Sequence, residues 1–139
     1  MGSVIAGDYG EKRIGIAVSD PFKIIAMPLT VIQSVSLKQD IESILKICAE
    51  KEAERLVVGL PLNMDGSAGA QAEKTLKFIE KLRESLSIPV DTWDERLTSK
   101  QAERTLIEAD MSRARREQLV DKLSAQIFLQ SYLDANEQI

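Results

Sequence analysis

Short apolar runs in the first quarter of the chain alternate between apolar and polar or small residues, the period of half-buried β-strands. The runs cover Val4–Ala6, Ile14–Ser19 and Met27–Ile32. Their connections are too short for a crossover helix, so we expect three antiparallel strands in a meander. Pro28 lacks a backbone donor, which predicts an edge position for the third strand.

Beyond residue 35 the apolar spacing changes to that of a helix. Ser36-Leu37-Lys38-Gln39 has the spacing of a capping box and predicts a helix start. One face of this helix is apolar, with Ile41, Ile44, Leu45 and Cys48. The run from Arg55 to Gly59 predicts a buried strand. A long amphipathic helix follows, with apolar positions at Ala72, Leu76, Ile79, Leu82 and Leu86.

The last part of the chain predicts a fifth strand and more helix. Pro89–Trp93 has the character of a strand, and Thr98-Ser99-Lys100-Gln101 is a second capping box. The final helix is predicted from about Arg113 to Asn136. Helical crossovers make the fourth and fifth strands parallel to the first, and right-handed connections favour the order 3-2-1-4-5. The expected fold class is α/β, with residues 1–139 as one domain.

The composition excludes several kinds of catalytic site, metal site and cross-link. The chain has no histidine and one cysteine, which excludes a Ser-His-Asp triad, histidine-ligated zinc and an internal disulfide. Its net charge of −4 argues against a strongly basic nucleic-acid coat. No apolar run approaches the length of a membrane span, and no signal peptide is evident. We therefore expect a cytoplasmic protein without membrane contacts.

Three carboxylates are candidates for one site at the switch point of the sheet, where open α/β sheets bind ligands. Asp8 follows the first strand, and Glu95 follows the fifth. Asp121 belongs to a face of the last helix that also holds Ser124, Ala125, Phe128 and Tyr132. Ser124 and Ala125 are small, so we expect this helix to approach the sheet closely.

Bringing three carboxylates together is unfavourable without a cation. At about 5 Å and an effective dielectric near 20, each like-charged pair costs roughly 3 kcal/mol. Magnesium suits a site made only of oxygen ligands, and paired ions can activate water for phosphodiester hydrolysis. The residue inventory is therefore compatible with a nuclease.

Each of these residues also has a simpler interpretation. Asp8 fits a turn, and Glu95 fits a surface pair with Arg96 or Lys100. Asp121 fits a solvated position on a charged helix. The loop from Pro61 to Gly69 fits a helix start capped by Asp65 or Ser67. In its functional interpretation the same loop binds a substrate phosphate, with Asn63 facing the site.

Basic side chains near the acids are candidates for substrate binding. Lys12, Arg13 and Arg96 are the residues that we expect to neutralise phosphate. Trp93 is expected in the core rather than as a base-stacking surface, and Thr98 as a helix cap.

Several segments, in order over nearly the whole chain, resemble the YqgF (RuvX) family. They are Asp8-Tyr9-Gly10-Glu11-Lys12-Arg13-Ile14-Gly15, Ser19-Asp20, Gly59-Leu60-Pro61-Leu62-Asn63-Met64-Asp65-Gly66-Ser67, Asp94-Glu95-Arg96-Leu97-Thr98 and Asp121-Lys122-Leu123-Ser124-Ala125. The resemblance implies an RNase H-like fold related to the RuvC resolvases. It also implies a nuclease that matures the 5' end of pre-16S rRNA, or a Holliday junction resolvase.

The resemblance implies that Asp8, Glu95 and Asp121 form the catalytic set and hold Mg²⁺ or Mn²⁺. The implied partners are precursor rRNA, a pre-ribosomal particle or branched DNA, and the implied state is a monomer or weak dimer. Two rival functions come from other classes. A non-catalytic nucleic-acid-binding module would use only the basic residues, and an actin-like ATPase would require a second domain of this size.

Overall fold

The computed structural model describes residues 2–98 and 120–136, and for residues 120–123 it describes the backbone alone. The strands are β1 (Val4–Tyr9), β2 (Arg13–Ser19), β3 (Ala26–Gln33), β4 (Arg55–Leu60) and β5 (Val90–Asp94). The helices are α1 (Leu37–Glu50), α2 (Ala70–Ser85) and α3 (Val120–Ala135), and a 3-10 turn spans Glu95–Leu97. No helix within the described ranges is both long and apolar enough to cross a membrane.

The five strands form one mixed sheet in the order β3-β2-β1-β4-β5, as predicted. β1 pairs antiparallel with β2, β2 pairs antiparallel with β3, and the β1–β4 and β4–β5 pairs are parallel. Pro28 lies on the edge strand β3, which confirms that expectation. The register slips between Ile16, opposite Thr30, and Ala17, opposite Pro28, so Leu29 forms a bulge beside the proline.

Helices cover both faces of the sheet. α1 and α2 pack on one face through a core of large aliphatic residues and Phe78. α3 packs on the other face, where Phe128 and Leu129 belong to one buried cluster with Val4, Ala6 and Val57. Strand residues alternate between faces, so Asp8 lies on the same face as Val4 and Ala6. The sequence of β1 thus directs Asp8 toward the face that carries α3.

Two glutamines of α3 bind the first residue of β3. The Gln126 side-chain amide donates to the Ala26 carbonyl (3.0 Å), and the Gln130 side-chain carbonyl accepts from the Ala26 N–H (2.8 Å). All three residues are buried. These bonds fix the middle of α3 against the edge strand.

The boundaries of all five strands differ from the predictions by one to three residues, most clearly in β1. β1 continues three residues beyond Ala6, so Asp8 lies within the strand, opposite Gly15, rather than in a turn. Ladder pairing with β2 outweighs the low strand propensity of glycine and aspartate. β5 begins one residue later and ends one residue later than predicted, at Asp94.

The helix predictions were also only partly right. Ser36 caps α1 as predicted, since its hydroxyl accepts from the Gln39 N–H. Gly69 precedes α2 without a side-chain cap, so the caps predicted at Asp65 or Ser67 are wrong. Ser124 is exposed, whereas Ala125 and Phe128 are buried. The buried face of the last helix is therefore rotated slightly from the predicted face, which included Ser124. Two predictions lie outside the described residues: the start of the last helix near Arg113 and most of the second capping box.

Candidate functional site

Asp8 and Glu95 meet at the edge of the sheet where the parallel strands end. Asp8 comes from the end of β1, and Glu95 opens the 3-10 turn directly after β5. Burial raises the pKa of Glu95 to about 7, and the charge of Asp8, a hydrogen bond with Asp8 and the charge of Asp94 add to this increase. Since a hydrogen bond between two carboxyl groups requires a proton, protonated Glu95 donates to Asp8. The two acids form a coupled pair.

Gly59 makes room for this pair. A Cβ atom on Gly59 would lie 2.8 Å from Glu95 Oε1 and 2.9 Å from Phe128 Cε2. Both separations are shorter than van der Waals contact, so a side chain here would displace the carboxylate, the ring or both. From the sequence, Gly59 was predicted only as the end of the fourth strand. A glycine at the end of a buried apolar run was the available signal for a close approach.

We expect Gly59→Ala to impair cleavage while the fold persists. A misplacement of Glu95 by about 1 Å costs on the order of a hundredfold in rate, and the strain against Phe128 costs about 1–3 kcal/mol of stability. Cleavage assays and thermal unfolding measure the two effects. Gly7→Ala is the matched control, because its Cβ would lie 3.8 Å from Ile16 Cδ1, an ordinary contact. Full activity in Gly59→Ala would contradict the placement of Glu95.

Arg96 pairs with Asp94 and not with Glu95, so the surface pair considered for Glu95 and Arg96 is wrong. The guanidinium of Arg96 donates to Asp94 through Nε (3.1 Å) and Nη2 (2.7 Å). Its Nη1 donates to the Met64 carbonyl (3.2 Å). These hydrogen bonds and the positive charge keep the pKa of Asp94 low. Arg96 therefore connects the loop after β4 to the end of β5.

The loop after β4 is closed by its own hydrogen bonds. Asp65 Oδ1 accepts from the N–H (2.9 Å) and hydroxyl (2.6 Å) of Ser67. The Asn63 side chain donates to Ser67 Oγ (3.0 Å) and lies beside Gly69. Gly66 has φ +88° and lies next to the Arg96 guanidinium, a conformation that favours glycine. The loop is thus shaped by its own hydrogen bonds and by Arg96.

Lys12 lies in the turn between β1 and β2, and Arg13 is the first residue of β2, on the chain that leaves Asp8. Both side chains are exposed. Gly10 donates its N–H to the Arg13 carbonyl (2.9 Å), and this bond closes the turn. Beneath the turn, Tyr9 stacks on Phe78 with ring centroids 4.1 Å apart. The turn is therefore anchored on α2, beside the two acids.

Asp121 belongs to α3, but its side chain lies outside the described residues. The structure therefore brings together two of the three predicted acids and leaves the third untested. Among the described side chains, no cluster of three or more acidic, cysteine or histidine residues is arranged to hold a metal ion.

Trp93 is half-buried against Tyr132, in agreement with its expected core position, and its indole N–H donates to Thr98 Oγ1.

A separate cavity of about 880 Å³ lies at the opposite end of the sheet. Four of its charged groups form ion pairs, Arg55 with Asp91 and Lys23 with Glu54, and Asp134 accepts a hydrogen bond from Gln130. Tyr132 also donates to Asp91 (3.0 Å). The cavity holds no group of the Asp8–Glu95 pair and is not the candidate site.

Sequence comparison connects the chain to one family. The profile of the RuvX family, described as Holliday junction resolvase, matches residues 2–135. A protein of Syntrophomonas wolfei is 52% identical over 91% of this chain and 90% of its own length. A protein of Caldanaerobacter subterraneus is 53% identical over 96% of this chain and 97% of its own length. Both relatives carry the name "Putative pre-16S rRNA nuclease".

Structural comparison gives the same fold. Thermus thermophilus RuvC in complex with a Holliday junction substrate matches with a TM-score of 0.63 at 14% identity, covering 99% of this chain and 97% of that chain. The fowlpox virus resolvase bound to Holliday junction DNA matches with a TM-score of 0.53 at 12% identity, covering 96% and 98%. The predicted RNase H-like fold is therefore confirmed.

Proposed function

The chain belongs to the RuvX family, and from this membership we propose that it is a metal-dependent nuclease acting in the 5'-end maturation of pre-16S rRNA. The observation that carries the proposal is the coupling of Asp8 to Glu95 at the end of the parallel strands. Two carboxyl groups that share a proton in the absence of a cation are suited to share a cation instead.

The donor set fits a hard divalent ion. Asp8 and Glu95 supply carboxylate oxygens, which Mg²⁺ and Mn²⁺ prefer. We propose Asp121 as the third ligand. Phe128 of α3 approaches Gly59 at the end of β4, and position 121 lies two helical turns earlier on the same side of α3. The other end of α3, with Leu133 and Asp134, lines the cavity at the opposite end of the sheet, which supports a place for Asp121 near the acids.

The bound ion would lower the pKa of a water molecule and stabilise charge on the phosphate. Asp8 and Glu95 would fix the geometry of the site, since β1 and the 3-10 turn hold them from two directions. With a pKa of about 7, Glu95 can hold or release a proton near neutral pH. Lys12, Arg13, Asn63 and Arg96 are the proposed contacts to the substrate backbone, with Arg96 also ordering the Asn63 loop.

Precursor rRNA is the first candidate substrate, because the two relatives that share about half of their residues with this chain are named as pre-16S rRNA nucleases. Within a pre-ribosomal particle in the cytoplasm a monomer would be sufficient. Branched DNA is the second candidate, since RuvC, which shares the fold, was solved with a Holliday junction. A symmetric junction would require two copies of the site.

The proposal is tested by incubating the purified protein and Mg²⁺ with precursor rRNA and with a synthetic four-way junction, in parallel with Glu95→Gln. We expect cleavage of the rRNA by the wild type and none by Glu95→Gln. Cleavage of the junction alone would select the second substrate. Binding without cleavage in both proteins would favour the non-catalytic module, and nucleotide binding in calorimetry would favour the ATPase.

We expect Lys12→Ala/Arg13→Ala to weaken nucleic-acid binding in proportion to lost phosphate contacts. For single-stranded RNA, the slope of log affinity against log salt should become shallower by about 1.4, or 0.7 for each contact. Titrations at several salt concentrations measure this slope. Lys46→Ala/Lys51→Ala on the far part of α1 is the control with equal charge change. An equal loss in both variants would refute a local track beside the acids.

A further inference from the structure

Two exposed apolar side chains lie beside Arg96, next to the two acids. Met64 is 89% exposed, and Leu97 is 62% exposed. The Met64 carbonyl accepts a hydrogen bond from Arg96 (3.2 Å), and Leu97 directly follows Arg96 in the chain. Neither side chain is among those packed against the two buried clusters of the described residues. Two exposed apolar groups at the edge of the sheet that carries the acids indicate a contact surface.

The 3-10 turn after β5 directs Leu97 away from the protein. Three residues complete one turn of such a helix, so successive side chains point roughly 120° apart. Glu95 is directed to Asp8, and Arg96 is directed to Asp94. Leu97 takes the third direction and is exposed to solvent. The turn that places Glu95 beside Asp8 therefore also presents an apolar group beside the site.

The loop after β4 presents Met64 at a corner. The Asn63 carbonyl accepts from the Gly66 N–H (2.8 Å), so residues 63–66 form a β-turn with Met64 and Asp65 at its centre. Arg96 holds the same turn through the Met64 carbonyl. The exposed Met64 side chain thus follows directly on Asn63, a proposed contact to the substrate backbone.

Nucleic acid offers one kind of apolar surface to these side chains. Its phosphates bind charged and hydrogen-bonding groups, for which Lys12, Arg13 and Arg96 are the proposed partners. The faces of the bases are the apolar part, but in a regular duplex they are stacked on one another and covered. They are accessible in single strands and at distorted steps, where methionine and leucine side chains can insert between bases.

We propose that Met64 and Leu97 contact unstacked bases of the substrate and thereby select single-stranded over duplex RNA. The inference deepens the proposed nuclease function and rests on it, because that function makes the ligand a nucleic acid. The basic residues hold the phosphates, and the two apolar side chains cover base faces beside Arg96. Covering about half of a side chain of this size strengthens binding by up to roughly tenfold.

The test is RNA binding in a chelator, which prevents Mg²⁺-dependent cleavage during the measurement. The two ligands are a single strand of precursor rRNA and the same strand annealed to its complement. We expect the wild type to bind the single strand more tightly than the duplex. Met64→Gln/Leu97→Gln makes both positions polar and should bind the single strand about 10–100-fold more weakly, with unchanged affinity for the duplex.

Two further variants serve as controls. Met64→Leu/Leu97→Met keeps both positions apolar and should bind both ligands like the wild type. Ile24→Gln/Met27→Gln makes two other exposed apolar residues polar. Ile24 lines the cavity at the opposite end of the sheet, and Met27 lies at the start of β3 opposite Val18. This variant should therefore also bind like the wild type.

The dependence of binding on salt separates lost base contacts from a general disturbance of the loop. Apolar contacts release no counterions, so the slope of log affinity against log salt should be unchanged in Met64→Gln/Leu97→Gln. A shallower slope, or equal weakening for single strand and duplex, would overturn the proposal. Unchanged affinity for the single strand would also overturn it and would assign the two side chains to a protein partner.

Failure of the proposed function gives a different result. A wild type that binds no RNA, with or without Mg²⁺, would contradict the nuclease function together with this inference. A wild type that binds RNA, with the outcomes named above for the variants, would contradict the base contacts alone.

Discussion

Asp8→Asn is expected to abolish Mg²⁺-dependent cleavage without unfolding the protein. The change keeps the shape of the side chain and removes a carboxylate that we propose as a metal ligand. Removing a residue that only supports a metal ligand lowers metal affinity or activity about 10–100-fold. Removing a ligand itself should therefore lower the cleavage rate by more than a hundredfold. In a chelator, unfolding above pH 7 should show equal or slightly higher stability, because one of two repelling charges is gone.

Asp134→Asn serves as the control for this variant. Asp134 lies near the far end of α3, is exposed and accepts a hydrogen bond from Gln130, which an asparagine can also accept. Its cleavage rate should equal that of the wild type. If Asp8→Asn retained full activity, the assignment of Asp8 to the catalytic set would be wrong, whatever the activity of the control.

The stability of the metal-free protein is expected to fall between about pH 5 and pH 8. Folding raises the pKa of Glu95 to about 7, so the folded state binds the proton more tightly than the unfolded chain. The resulting stabilisation is complete below the pKa of the unfolded chain and is lost as pH rises through 7. Because Glu95 is only partly buried, its contribution is about 1–2 kcal/mol rather than the full value of the shift.

Chemical denaturation in a chelator at several pH values measures this dependence, and Glu95→Gln should flatten it. Since a metal ligand must be deprotonated, Mg²⁺ affinity should rise about tenfold from pH 6 to pH 8. Calorimetric titration of the wild type with Mg²⁺ tests this second effect separately. A pH-independent affinity would mean that Glu95 does not bind the ion.

Strand order was predictable because it follows from the connections. The short links between the first three strands require antiparallel neighbours, and the two helical crossovers fix the order of β4 and β5. The end of β1 was not predictable from propensity, since Gly7 and Asp8 are poor strand residues. Their place in the strand depends on pairing with β2, which the local sequence does not encode.

The meeting of Asp8 and Glu95 was predictable for the same topological reason, because parallel strands end at one edge. The partner of Arg96 was not, since Asp94 and Glu95 are adjacent and only the 3-10 turn decides which carboxylate faces the guanidinium. The requirement for a glycine at position 59 was also not predictable, because it depends on the packing of Phe128. This residue lies 69 positions later in the chain, and the sequence does not reveal that the two residues are close in space.

The two glutamine side chains that hold α3 on Ala26 link the outermost strand to the helix whose Phe128 ring lies beside Gly59. Because an α-helix is stiff, a displacement of Ala26 would move α3 as a whole. Such a displacement would reach the Phe128 ring and, through it, the space that Gly59 leaves for Glu95.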